Sequence, residues 1–186
     1  MEHSNPYETS NYITYTSSKE MYTDYHEWST CDMYGCTLST SPAERLALVD
    51  FYYATQGEWW RINENWLIKD PCINNWYGIT CNTKGQIIAI FLFENHLDGL
   101  LPDSFGNLIY LKHLTLANDG REHETVPSMQ RNTIYLWNER VFNRLKNLEE
   151  INLQHLGMKG KLINSLLSNH KLKYLNIAYN MLQGPL

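Results

Sequence analysis

The stretch Leu148-Glu149-Glu150-Ile151-Asn152-Leu153 returns 24 residues later as Leu172-Lys173-Tyr174-Leu175-Asn176-Ile177. The same step of 24 separates the pair Ile90 and Leu92 from the pair Leu114 and Leu116. A short apolar motif that recurs at a fixed period in the twenties predicts a solenoid, in which each repeat forms one coil. We therefore expect about four coils over residues 87–186.

Each motif alternates inward and outward positions, which predicts a short β-strand with its two aliphatic side chains pointing inward. One coil cannot bury this apolar side alone, so successive coils must stack. Asn95 follows the first motif by three residues and is expected to bond the backbone of the turn. The equivalent positions of the later coils hold Asp119, Leu156 and Asn180, so we expect an imperfect asparagine ladder.

The period breaks once, between the second and third coils. Leu114 and Ile151 are 37 residues apart, which is one period of 24 plus 13. We expect the extra residues in an insertion near 119–140, mostly after Val126-Pro127, a pair that matches Leu101-Pro102. The resulting loop should protrude from the side or the convex back, either as a neutral surface insertion or as a binding loop.

A helix start precedes the repeats. In Ser41-Pro42-Ala43-Glu44, Ser lies at the N-cap, Pro at the first helical position and Glu three residues after the cap, which satisfies free backbone donors. Gly57 is expected to end this helix. The tryptophans that follow favour the packing of a small cap over residues 41–86, with a carbohydrate platform as the alternative: Trp59, Trp60, Trp66 and Trp76.

The four cysteines form two closely spaced pairs. Cys31 and Cys36 lie five residues apart, and Cys72 and Cys81 nine apart, which favours two local disulfides formed in an oxidising compartment. Four reduced thiols are the alternative; a zinc site is less favoured, because neither pair has the usual gap between zinc ligands. The first pair closes a leader, residues 1–40, whose Tyr-, Ser- and Thr-rich composition predicts partial disorder.

The rest of the composition argues against several classes of function. The formal net charge of −5 lacks the basic surface that nucleic-acid binding requires. The sequence has no apolar run long enough for a membrane span and no glycine-rich phosphate loop, so we predict neither a membrane span nor a cofactor. His113 and Glu150 are expected side by side but without a nucleophile or pocket, so we predict no catalytic residues, no metal site and no enzyme activity.

The turn Asn95-His96-Leu97-Asp98-Gly99-Leu100-Leu101-Pro102-Asp103-Ser104-Phe105-Gly106-Asn107-Leu108 closely resembles the motif of plant-type leucine-rich repeats. Residues 47–60 look like the family's cap helix, and 70–72 with 76–81 look like its disulfide loop. The resemblance covers residues 42–186 and implies an α/β solenoid: a right-handed leucine-rich-repeat coil with a parallel β-sheet on its concave face and an α-helical, disulfide-bonded N-terminal cap. Members such as receptor-kinase ectodomains bind ligands on the concave sheet.

Two features depart from the family pattern. Members normally enter the secretory pathway, whereas no signal peptide is visible at residues 1–6. The cap cysteines nonetheless lead us to expect an extracellular or cell-surface location. The sequence also stops in mid-repeat at Gly184-Pro185-Leu186, from which we expect a fragment whose uncapped last coil can self-associate.

The residues expected on the concave face flank the inward aliphatic residues of each strand. The predicted ligand-binding residues are Phe91, Phe93, Glu94, His113, Thr115, Asn118, Glu150, Asn152, Gln154, His155, Tyr174, Asn176 and Tyr179. A polar surface with aromatic anchors suits protein and glycan ligands, although any solvated sheet shares this composition. We predict a non-catalytic binding module for a protein, peptide or cell-surface glycan; the alternative is a structural end-segment of a longer receptor or receptor-kinase ectodomain.

Overall fold

A computed structural model describes residues 39–120, 131–135, 138–161, 166 and 169–184, and the backbone alone of residues 30–32 and 35–37. In the latter, β1 (Thr30–Asp32) pairs with β2 (Gly35–Thr37), which places Cys31 opposite Cys36. The disulfide predicted for these two cysteines concerns side chains outside the described part. Most of the predicted leader also lies outside it.

The remaining elements alternate short strands with helical turns. In chain order they are α1 (Pro42–Ala54), a 3-10 helix (Gly57–Trp59), β3 (Ile79–Cys81), β4 (Ile87–Phe91), β5 (Asp98–Gly99), a second 3-10 helix (Asp103–Asn107), β6 (His113–Thr115), β7 (Thr133–Ile134), α2 (Glu139–Arg144), β8 (Glu150–Asn152), β9 (Lys159–Lys161), β10 (Tyr174–Asn176) and β11 (Met181–Gln183).

The cap helix α1 is tied to the repeats through its first turn. Ser41 Oγ accepts a hydrogen bond from the Glu44 backbone N–H at 3.3 Å and donates one to Glu44 Oε2 at 2.8 Å. The Glu44 side chain is buried, and its Oε1 accepts the backbone N–H of Ile87 at 3.1 Å. One carboxylate therefore caps the helix and also anchors the start of β4, the first strand of the parallel stack.

Three of the four cap tryptophans are packing residues. Trp60, Trp66 and Trp76 are 5, 5 and 1% exposed, and their ring centroids lie 4.7 and 5.0 Å apart in succession. Each indole N–H donates to a backbone carbonyl at 2.8–2.9 Å, so burial leaves no indole donor unpaired in this cluster. Trp59 differs, because 70% of its surface is exposed. Packing therefore explains three rings and leaves Trp59 without an explanation in the core.

The second cysteine pair joins the loop of the cap to β3. Cys72 and Cys81 form a disulfide with a Cα–Cα distance of 5.6 Å. The buried Asp70 carboxylate holds the surrounding loop: Oδ2 accepts the Thr40 N–H at 2.8 Å, and Oδ1 accepts the N–H groups of Cys72 and Ile73 at 2.8 and 3.0 Å. The loop is thus fixed by both a covalent bond and a satisfied buried charge.

The coils stack as the 24-residue period predicts. The main sheet has the order β10-β8-β6-β4-β3, with β4, β6, β8 and β10 parallel and β3 antiparallel to β4. Ile90, Leu114, Ile151 and Leu175 occupy one register row, which confirms the predicted alignment. The first three are fully buried, so this row forms the spine of the core.

Each of the four parallel strands of the main sheet is followed along the chain by a second short strand. These second strands form two further parallel pairs, β5 with β7 and β9 with β11. Helical turns follow them: the 3-10 helix at Asp103–Asn107 packs against both α1 and α2. Phe105 and Phe142, the aromatic residues of these two turns, are buried. The described coils therefore form a leucine-rich-repeat solenoid with strands on one layer and helical turns on another.

The ladder position of the second coil is held by Asn132, whereas the spacing predicted Asp119. Asn132 Oδ1 accepts the N–H groups of Asn95 and Leu97 at 2.8 and 2.9 Å. Asn180 does the same for the third coil, accepting the N–H groups of Leu156 and Met158 at 3.2 and 3.0 Å. Equivalent roles identify equivalent positions, so Asn132 is the counterpart of Asn95 in its coil.

This equivalence relocates the insertion. Asn95 and Asn132 are 37 residues apart, again 24 plus 13, so the additional residues precede Asn132. Matching Val126-Pro127 to Leu101-Pro102 was therefore wrong, because it placed most of the extra residues after the turn. The insertion leaves the solenoid beyond the carboxyl end of β6, and residues 121–130 lie outside the described part.

The third coil has Leu156 at the ladder position, and a side chain of the second coil compensates for the missing amide. Asn118 is 1% exposed. Its Oδ1 accepts the Asn132 N–H at 2.9 Å, and its Nδ2 donates to the carbonyls of Asn132 and His155 at 2.8 and 2.7 Å. The sequence prediction of Asn118 as a surface residue is therefore corrected: its amide closes the turn across the base of the insertion.

Charged side chains form a second link between coils, just before the strands begin. Lys112, Glu149 and Lys173 precede β6, β8 and β10, and Glu149 bonds both lysines, at 3.1 Å to Lys112 and 2.6 Å to Lys173. The hydrogen bonds from Lys173 and then Lys112 lower the pKa of Glu149 from 4.5 to about 2. The bond to Glu149 also raises the pKa of Lys173. These charges therefore link three successive coils at the surface.

We expect Asn118→Ala to lower the free energy of unfolding by about 1–3 kcal/mol, because the buried N–H of Asn132 loses its acceptor. Urea unfolding followed by circular dichroism measures the change. Asn152→Ala is the matched control, since Asn152 lies partly exposed on β8, and it should cost less than about 1 kcal/mol. Equal losses in the two variants would contradict the role assigned to Asn118.

Glu149 makes stability depend on pH in a defined direction. Its carboxyl pKa is lower in the folded protein, so its stabilising effect is present above 4.5 and is lost as pH falls towards about 2. Glu149→Gln should therefore show a smaller drop in urea midpoint between about pH 6 and pH 3 than the native chain. Lys173→Gln should reduce the drop in the same sense, and high salt should weaken it by screening. An unchanged drop in both variants would exclude this ion cluster as the cause.

Candidate functional site

The solvent-facing side of the main sheet, here called the sheet face, brings seven of the thirteen predicted binding residues into two rows. The first row holds Ala89, His113, Glu150 and Tyr174, and the second holds Phe91, Thr115, Asn152 and Asn176. His113 and Glu150 lie side by side in the first row, as the sequence predicts. The rows flank the buried aliphatic spine, so the same alternation that builds the core leaves them accessible, except at Ala89, which is buried.

Aromatic side chains occupy the two ends of the sheet face. Phe91 and Phe93 in the first coil are 48 and 41% exposed, and Tyr174 and Tyr179 in the fourth are 50 and 75% exposed. The ring of Tyr179 stacks on His155 with centroids 4.1 Å apart. Exposed rings grouped at the two ends of a sheet leave apolar area in water that a ligand can cover.

The centre of the sheet face is polar and internally bonded. His113 Nδ1 lies 3.2 Å from Glu150 Oε2, and both side chains remain accessible. Asn176 Nδ2 donates to Gln154 Oε1 at 2.7 Å, and Gln154 Nε2 donates to the Asn118 carbonyl at 3.1 Å. These bonds fix the direction of each polar group before any ligand arrives.

Three predicted residues lie at the edge of the sheet face, where each strand turns away. Glu94, His155 and Tyr179 have φ angles of 47, 57 and 57°, in the left-handed region. Side chains other than glycine and asparagine rarely adopt this conformation. The backbone N–H groups of Glu94 and His155 bond the next coil, donating to Ala117 and Ala178 at 3.1 Å each, so stacking holds them there. Sequence analysis missed this feature, because none of the three residue types signals it.

Of the thirteen predicted binding residues, twelve are accessible or half-buried on or beside the sheet face, and Asn118 is buried. Glu94 is committed in part, since its Oε1 accepts the N–H of Asp119 at 3.1 Å. Within residues 39–120, 131–135 and 138–184 where described, no cluster of three His, Cys, Asp or Glu residues could hold a metal ion. The described helices include none that is long and apolar enough to cross a membrane.

The chemistry available on this face is recognition by contact. His113 and Glu150 are a neighbouring base and acid, but they lie on an open sheet where water reaches both side chains. Rigid aromatic rings and fixed hydrogen-bonding groups instead provide shape and directional contacts. The sheet face is therefore a candidate ligand-binding surface.

Curated relatives share part of this sequence. A probable leucine-rich repeat receptor-like protein kinase of Arabidopsis thaliana is 35% identical over 66 residues, 36% of this chain and 7% of the relative. Receptor-like protein EIX2 of Solanum lycopersicum is 32% identical over 124 residues, 58% of this chain and 12% of the relative. The chain thus spans about a tenth of the length of these relatives. None of the protein-family models compared with the chain matches it.

Solved structures share its fold. A plant ice-binding protein superimposes with a TM-score of 0.61 at 20% identity, over 77% of this chain and 42% of that one. The ectodomain of the Arabidopsis thaliana receptor kinase SOBIR1 gives 0.58 at 18% identity, over 78 and 71% of the two chains. The Arabidopsis receptor kinase HAESA ectodomain gives 0.58 at 22% identity, over 75 and 21%. The period, the in-register coils and these similarities together show a leucine-rich-repeat fold in this chain.

Proposed function

We propose that this chain is a non-catalytic binding module whose sheet face recognises a protein or peptide. The observation that supports it best is the placement of exposed aromatic rings at both ends of a fixed polar row. Binding energy at protein interfaces concentrates in a few aromatic anchors surrounded by polar groups. A surface whose side chains are already bonded to one another loses little conformational entropy when a ligand arrives.

The dimensions of the sheet face favour an extended ligand that crosses the strands. Parallel strands lie about 4.8 Å apart, so the three intervals from β4 to β10 span roughly 14 Å. About four or five extended residues cover that distance. The inner strands β4, β6 and β8 each pair on both sides, so a peptide cannot be added to them as a further strand and must be recognised by side chains.

Solved relatives of this fold make the peptide class a reasonable choice. The HAESA ectodomain was solved with a peptide hormone, IDA, and also in complex with that peptide and the co-receptor SERK1. Those ligands are properties of HAESA, of which this chain covers about a fifth. They support a peptide as the class of ligand and do not specify the sequence of that peptide. A glycan bound to the same face is the alternative outcome of the test.

A second candidate function is that of a segment of a longer receptor. The two curated relatives are receptor-like proteins of which this chain covers 7 and 12%. In that case the sheet face contributes the first rungs of a larger binding surface. We also propose an extracellular or cell-surface location, because the Cys72–Cys81 disulfide favours an oxidising compartment.

Peptides selected from a random displayed library against the native chain provide the ligand for a test. We expect Phe91→Ala, Tyr174→Ala and Tyr179→Ala each to weaken binding of a selected peptide by about tenfold or more, since each removes an exposed anchor. Isothermal titration calorimetry measures the affinity. Tyr110→Ala is the matched control, because Tyr110 is 39% exposed but lies in the turn before β6.

Native affinity in all three sheet-face variants would show that the peptide binds elsewhere. Selection of glycans in place of peptides, with the same loss in these variants, would keep the surface and change the ligand class. Circular dichroism checks that each variant and the control remain folded.

A further inference from the structure

A concave surface separate from the sheet face lies where the cap meets the first two coils. It is an open groove of about 480 Å³, here called the lateral groove. Two aromatic rings, Trp59 and Tyr135, line it at 70 and 48% exposure. Between them lie the polar side chains of Gln56, Asp98 and Thr133, and none of the groove residues belongs to the sheet face. Trp59, whose position core packing does not explain, therefore lines this groove.

The lateral groove has a rigid base. The cap supplies carbonyls to β5: Asp98 N–H donates to Thr55 O at 3.1 Å, and Leu100 N–H donates to Ala54 O at 3.3 Å. Gly99 has a φ of 157°, and a Cβ there would lie 1.8 Å from Ala54 O, so only glycine allows this approach. The cap wall and the strand floor are therefore held together by the backbone.

The polar groups of the lateral groove are arranged around one carboxylate. Asp98 Oδ1 accepts the Tyr135 hydroxyl, and Oδ2 accepts Gln56 Nε2 at 2.9 Å. The bond to Asp98 raises the pKa of Tyr135, so its hydroxyl stays a donor at neutral pH. A carboxylate offers about four acceptor positions, so two bonds leave Asp98 able to accept more.

The net charge of the lateral groove is close to zero. Asp98 is balanced by Arg131, which also lines the groove. Burial, followed by the positive charge of Arg61, lowers the pKa of His96, so its imidazole is neutral at neutral pH. A strongly charged ligand therefore gains little from this site, whereas a neutral ligand with many hydroxyl groups finds donors and acceptors.

The backbone around the groove offers little to a peptide. Along β5, the carbonyls of Leu97 and Gly99 accept the N–H groups of Thr133 and Tyr135 at 2.6 and 3.0 Å. On the far side of β7, Ile134 N–H donates to Leu156 O at 3.1 Å, and Tyr135 O accepts Lys159 N–H at 3.0 Å. Both edges of these strands are used, so an added peptide strand has no place to pair.

We propose that the lateral groove binds a neutral saccharide. The C–H face of a pyranose ring packs on Trp59, a second sugar contacts Tyr135, and ring hydroxyls bond Asp98 and Gln56. Rings that are apolar on their faces and surrounded by planar hydrogen-bonding groups match the two-sided chemistry of a sugar. The site is separate from the sheet face and does not depend on the function proposed for it.

The test titrates the purified chain with neutral tetrasaccharides of glucose, xylose, mannose and N-acetylglucosamine, by calorimetry and by tryptophan fluorescence. We expect at least one class to bind with a Kd below about 1 mM. Trp59→Ala should weaken that binding at least about tenfold, and Trp59→Phe should restore much of it, since a ring remains. Asp98→Asn should also weaken it, because one acceptor oxygen is lost.

Tyr110→Ala is the matched control, since it removes an exposed aromatic ring from the turn before β6, outside both the lateral groove and the sheet face, and it should leave the saccharide affinity unchanged. Absence of binding by every sugar class at about 10 mM overturns the proposal. So does binding that survives Trp59→Ala, or a groove that takes library-selected peptides in a Trp59-dependent way but no sugar. A circular-dichroism unfolding midpoint equal to that of the native chain shows that Trp59→Ala is folded.

Discussion

The structure depends on the burial of one aliphatic row. Ile90, Leu114 and Ile151 are fully buried only because each coil covers the apolar side of its neighbour, and the strand register follows from that contact. The row also determines the binding surface, because side chains one position away must face solvent. Core and candidate site are therefore two sides of one constraint, and a change in register would alter both together.

Side-chain amides provide the hydrogen-bond acceptors that the aliphatic row lacks. Turns between strands leave backbone N–H groups without a strand partner, and Asn132 and Asn180 accept them from the preceding coil. Asn118 accepts the N–H of Asn132, because the third coil has Leu156 in place of an asparagine at the ladder position. The period of the sequence predicted the register and the stack, since aliphatic spacing encodes burial, and the capping motif at Ser41 predicted the cap helix. The period could not locate the insertion, because a spacing shows how many residues are added and carries no information on which amide closes the turn.

The sequence also predicted one part of the candidate site and missed another part. Alternation along the strands predicted the rows through His113 and Asn152, because a strand has only two faces. It failed for Asn118, which follows the strand, where alternation no longer applies and the chain turns inward. The exposed Trp59 was hidden among three buried tryptophans, since composition alone does not separate a packing ring from a surface ring. Whether such a side chain is buried or exposed depends on its long-range partners and not on a local sequence pattern.

The two proposed surfaces meet at one residue. Asn95 follows Phe93 and Glu94 of the sheet face and precedes His96 of the lateral groove. Its Oδ1 accepts the Ile62 N–H at 2.8 Å and its Nδ2 donates to Ile62 O at 2.9 Å, so the cap loop is bonded to the first coil at this point. Because the amide of Asn132 bonds the N–H of Asn95 in turn, neither surface can shift without breaking buried hydrogen bonds. Both surfaces are therefore preformed, and ligands can bind them without first ordering the protein.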